Sequence, residues 1–158
     1  MTESMKAILE YLEAFRNSVD ALGRGSGNEV EDRAAMMDAY TRLYRLKERI
    51  VHELKKTKEG LAKNEKRVCH KILEDNLISG LLDLRTIADH VKGRSSGSDI
   101  QIYAADGSPT IIKADCTARS VFPAGIISDG NNPYGVFNHE HSLNAAVRRL
   151  EKLLLNIE

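Results

Sequence analysis

The chain reads as an α+β protein, with an N-terminal long-helix hairpin or coiled-coil bundle followed by a small antiparallel β module and a C-terminal helix. Three observations carry this expectation. Apolar residues recur at spacings of 3 and 4 through most of the first half, the pattern changes to alternation in "DIQIYAADGSPTIIKADC", and the 3,4 spacing returns from Leu143 onward. At 158 residues, with 42% hydrophobic and 29% charged residues and a formal net charge of zero, the chain has a globular composition and not that of a disordered tail. It is long enough to bury a core without staples.

The first helix is expected on the seam Met5, Ile8, Leu12, Phe15, Val19 and Leu22, and it stops at the glycine-rich turn "GRGSGN". Asn28 is placed to cap the second helix, with Glu29, Glu31 and Asp32 near its positive dipole end. That helix carries Met36, Tyr40, Leu43, Ile50, Leu54 and Leu61 on one seam, interrupted by Lys47 and Thr57. A helix of roughly 30 residues would reach about 45 Å, longer than a compact domain requires, which suggests a projecting hairpin or an oligomeric coiled coil. "KKTKEGLAKNEK" is read as a turn, with Gly60 in the left-handed position and Asn64 capping a new start. A third helical run is expected to Val91, with a possible break at Ser79 and Gly80.

"GRSSGS" then separates a helical, oligomerising part, 1–92, from a β module with its closing helix, 93–158, assigned to partner or ligand binding. Two short strands flank "DGSP", a further strand is read in "SVFPAGIIS", and a loop rich in Gly, Asn and Pro precedes the last helix. The seam Leu143, Val147, Leu150, Leu154 and Ile157 defines that closing helix, with Ser142 or Asn138 as its cap.

Site chemistry is sparse. "HEH", His139 to His141, offers at most two metal ligands where zinc or iron sites use three or four, so it is read as a helix entrance and no metal or cofactor is expected. Cys69 and His70 are adjacent on a helix and point about 100° apart, which disfavours a thiolate–base pair. No catalytic residue is assigned. An enzyme would need His139, Glu140 or His141 to converge with Asp106, Asp115 or Cys116. A ligand pocket, for a nucleotide-like molecule, would draw on Arg119, Asn131, Asn132, Tyr134, His139 and His141, which supply donors and an aromatic face.

Zero net charge hides an uneven layout. Residues 1–44 carry 5 basic and 8 acidic groups, 45–72 carry 10 and 4, and 73–158 carry 8 and 11, giving −3, +6 and −3. Within the basic segment Lys55, Lys56, Lys58, Lys63, Lys66 and Arg67 gather around the expected tip, as phosphate contacts would require, although interleaved glutamates also suit a solvated helix surface. The leading expectation is a non-catalytic, self-associating protein whose C-terminal module binds a protein partner or small ligand. Nucleic-acid binding through the basic segment and a small-molecule site or hydrolase are the alternatives. Two unrelated cysteines and no apolar span place it in the cytoplasm, away from membranes.

Overall fold

The computed structural model describes residues 1–75, 77–79, 81–82, 100–103, 109–112 and 139–157. Helix α1, Glu3–Arg24, starts where the Thr2 hydroxyl accepts the Met5 amide at 3.1 Å. All six residues of its apolar seam are buried. The helix ends at Gly25, whose φ of 64° places it in the left-handed region that glycine enters without a Cβ penalty.

Helix α2, Glu29–Leu54, begins as the sequence indicates: Asn28 Oδ1 accepts the amides of Val30 and Glu31 at 2.9 and 3.1 Å. Its 26 residues span about 39 Å. The chain does turn after Leu54, yet the left-handed residue is Glu59, with φ 52°, and not Gly60. Glycine is favoured at position 60 for a different reason, since a Cβ there would lie 3.2 Å from Lys56 Cβ and 3.3 Å from the Lys56 carbonyl oxygen.

Helix α3, Lys63–Leu73, takes Ala62 as its N-cap; Asn64 lies inside the first turn, accepting the Glu65 amide at 3.0 Å. The helical run then breaks at Asp75, before the Ser79–Gly80 position that the sequence suggested. Asp75 Oδ1 accepts the amides of Leu77 and Ile78 at 2.9 and 3.1 Å and so caps the helical turn that follows. The same carboxylate receives Arg149 of the final helix, α4 (His139–Leu154), at 2.9 and 3.1 Å.

The α+β expectation is corrected by this arrangement, because the described fold is helical. Its core joins the seam of α1 to Met36, Tyr40, Leu43, Leu46 and Ile50 of α2 and to Leu143, Ala146, Leu150 and Leu154 of α4, with Cys69, Ile72, Leu77 and Leu81 closing one side. The closing helix is therefore a member of the helical core, packed on α1. Of the expected β module the described residues contain only β1, Ile100–Tyr103, and β2, Pro109–Ile112, paired antiparallel with Ile100 opposite Ile112. One two-stranded ladder is marginal alone and does not form a sheet layer. The further strand read in "SVFPAGIIS" lies outside the described residues. Alternation in sequence marks extended backbone, whereas a layer needs enough strands to bury a face.

Ser142 is also corrected. Helix α4 already includes His139, so Ser142 is internal, fully buried, and its hydroxyl has no hydrogen-bond partner among the described residues. Asn28→Ala is expected to lower unfolding stability by about 1 kcal/mol through loss of its cap. Ser142→Ala is expected to leave stability equal or higher, because it removes a buried polar group with no compensating bond. Urea unfolding of both variants checks the pair, and a Ser142→Ala loss matching that of Asn28→Ala would restore the capping role.

Candidate nucleic-acid interface

Helix α3 has two chemically distinct faces. Glu65, Cys69 and Ile72 turn inward, spaced as one side of a helix demands. Lys63, Lys66, Arg67, His70 and Lys71 fall at i, i+3, i+4, i+7 and i+8 on the opposite side, where Lys66 is half-buried and the other four are exposed. The stripe is about 12 Å long from Lys63 to Lys71. None of these side chains forms an ion pair among the described residues. Lys63 and Lys66 occupy the start of the helix, its positive dipole end, where cations are disfavoured and anions favoured.

Two of the glutamates interleaved with these cations, Glu53 and Glu65, point into the protein, while Glu59 and Glu74 are exposed near the two ends of the stripe. Glu65 is only 5% exposed. Its Oε1 accepts the Thr2 hydroxyl at 2.7 Å and the Ala62 amide at 2.9 Å, tying the start of α1 to the start of α3. Burial alone would raise its pKa, but these hydrogen bonds outweigh burial and hold the carboxyl below its ordinary value. Glu53 is fully buried and lies between Arg49 Nη2 at 2.7 Å and Lys56 Nζ at 2.8 Å, contacts that are ion pairs without good hydrogen-bond geometry. Burial again raises its pKa, and Lys56, Ser4 and Arg49 more than offset it.

Lys55 and Lys58, exposed and without an ion pair among the described residues, extend the basic surface into the α2–α3 connection. With Lys56 they line an open recess of about 680 Å³ beside the start of α1, which Glu3 and Glu59 also border. Of the six cations singled out in the sequence, five remain available, while Lys56 serves Glu53. Sequence reasoning missed His70 and Lys71, although the i+7 and i+8 positions of the same stripe carried the signal.

The other candidates are not brought together in the described residues. Arg119, Asn131, Asn132, Tyr134, Asp106, Asp115 and Cys116 lie outside them. His139 and His141 belong to the first turn of α4, and Glu140 between them reaches the end of α1, where a Cβ at Gly23 would lie 3.5 Å from its Oε1. Burial raises the Glu140 carboxyl above its ordinary pKa. Cys69 is fully buried while His70 faces solvent, so the two do not form a pair. Burial, aided by the Glu65 charge, pushes the Cys69 thiol up to about 11, which makes it an inert core group. No cluster of three His, Cys, Asp or Glu residues suited to a metal occurs among the described residues, and no described helix is long and apolar enough to cross a membrane. Comparison with protein-family models, curated proteins and solved structures gives no match.

Proposed function

We propose that the protein is a non-catalytic nucleic-acid-binding accessory protein that engages the phosphate backbone through the outer face of α3 and the adjoining α2–α3 connection. The observation that carries this reading is the basic stripe Lys63, Lys66, Arg67 and Lys71, without an ion pair among the described residues and set opposite a buried Glu65. A solvated helix surface stabilised by i,i+4 pairs would instead bond its glutamates to these cations, and no such ion pair forms among the described residues. No aromatic side chain interrupts the stripe to stack on bases, so binding is independent of sequence. A reducing, cytoplasmic setting suits a core thiol such as Cys69.

Self-association has less support than binding. The seams of α1 and α2 that suggested it are closed against each other and against α4 within one chain. Large exposed apolar side chains are confined to Met1, Val30 and Leu155 among the described residues, scattered and not gathered into a stripe.

Fluorescence anisotropy with labelled duplexes of unrelated sequence tests the proposal. The native chain is expected to bind them with similar affinity. The variant combining Lys63→Ala, Lys66→Ala, Arg67→Ala and Lys71→Ala is expected to lose at least tenfold while keeping its helical circular dichroism, since alanine favours helix. Equal binding by the variant removes α3 as the site, and preference of the native chain for anionic vesicles over duplexes replaces nucleic acid with a membrane surface as the partner.

A further inference from the structure

A cleft of about 270 Å³ opens between α2, α3, α4 and the helical turn after Asp75. Its described walls are aliphatic: Leu46, Ile50, Ile72, Ile78 and Leu150 are buried around it, and no aromatic ring lines it among the described residues. Protein interiors are normally packed without voids of this size. At ~30 Å³ for each water of the liquid, the space equals about nine waters, yet its walls offer water few partners.

Among the described residues, two polar ones border the cleft, Lys47 and Ser79. Lys47 occupies the position on α2 where the apolar spacing calls for a hydrophobic side chain, between Leu43, Leu46 and Ile50. A leucine or methionine there would extend the apolar wall. Instead a half-buried lysine borders the cleft, its ammonium 5.3 Å from the centroid of the Tyr44 ring and with no carboxylate partner among the described residues. The Ser79 hydroxyl is exposed at the same rim. The larger open groove along α1 and α2 differs in kind, because Arg42, Arg45 and Arg49 share it with Glu10 and Glu48.

We propose that this cleft binds an amphipathic monocarboxylate of medium alkyl chain length, with the chain among Leu46, Ile50, Ile72 and Leu150 and the carboxylate on Lys47, assisted by Ser79. Aliphatic walls favour a flexible chain over a flat ring, and an unpaired cation at the rim selects a negative head group. An apolar body held by area burial with one charged anchor at the mouth is the usual balance of a small-molecule site. The site is separate from the basic face of α3, since Ile72 and Leu73 reach it from the other side of that helix.

The test is calorimetric titration of the full chain with decanoate, with 1-decanol and decylamine as matched probes. Decanoate is expected to bind saturably at one site, decanol at least tenfold more weakly, and decylamine not at all. Lys47→Met, which keeps the apolar stem, is expected to weaken decanoate at least tenfold while leaving decanol unchanged, and Lys47→Gln is expected to give the same loss. Ser79→Trp, at the exposed rim, is expected to abolish both. The proposal is overturned if decanoate does not bind the native chain, if both Lys47 variants bind it as the native chain does, or if decylamine binds equally well.

Discussion

Truncating Phe15 to alanine is expected to cost about 3–5 kcal/mol of folding stability. Phe15 has no exposed surface and lies midway along the α1 seam that packs on α2 and α4. Removing the ring forfeits its transfer free energy, and α2 and α4 cannot both close fully on the vacated space. Val30, 77% exposed, supplies the internal control, for Val30→Ala is expected to change stability by no more than about 0.5 kcal/mol. Urea unfolding of both variants at constant m reads the difference. A Phe15→Ala loss below about 1 kcal/mol would mean that the helices do not share one core.

Glu65→Ala is expected to cost about 2–3 kcal/mol, because it leaves the Thr2 hydroxyl and the Ala62 amide without their charged acceptor. Glu65→Gln retains a carbonyl acceptor and is expected to recover part of that loss. The same carboxylate makes the fold acid-sensitive. Glu65 and Glu53 titrate below their ordinary value when folded, so the stability they confer is complete above an unfolded glutamate pKa of about 4.3 and is lost as pH falls through their lowered native values. Glu140 acts in the opposite sense, since its raised pKa imposes a cost at neutral pH that acid relieves. Among the described residues Glu65, Glu53 and the fully exposed Glu3 are lowered against one raised carboxyl, Glu140, which predicts net acid destabilisation, reduced in Glu65→Gln. Thermal midpoints measured from pH 7 down to 3 check the sign, and a Glu65→Gln profile parallel to that of the native chain would exclude this carboxylate as the cause.

The helical framework was legible because periodicity and capping are local signals. The α1 seam, the Asn28 cap and the turn after Leu54 can all be located within a few residues of sequence. What the seams pack against is not local. Helix α4 returns to α1 across more than a hundred residues, so a pattern that suggested self-association is satisfied within the chain. Ser142 was misplaced for a related reason: a serine before an apolar run suits a cap equally well one turn inside the helix, and only the burial of α4 distinguishes the two. The basic segment was visible as composition. The inward turn of Glu53 and Glu65, which removes two carboxylates from the basic face, depends in part on contacts with Thr2 and Ser4 that no local pattern encodes.

The salt dependence of duplex binding tests the phosphate-contact reading most directly. Each phosphate neutralised on a duplex contributes about −0.9 to the slope of log K against log salt, so engagement of the four α3 cations predicts a slope of roughly −4 for the native chain. The variant with alanine at Lys63, Lys66, Arg67 and Lys71 is predicted to retain a slope no steeper than about −2, from whatever contacts Lys55 and Lys58 make. A native slope near zero, or a slope that the four substitutions leave unchanged, would contradict the assignment of this face to the phosphate backbone.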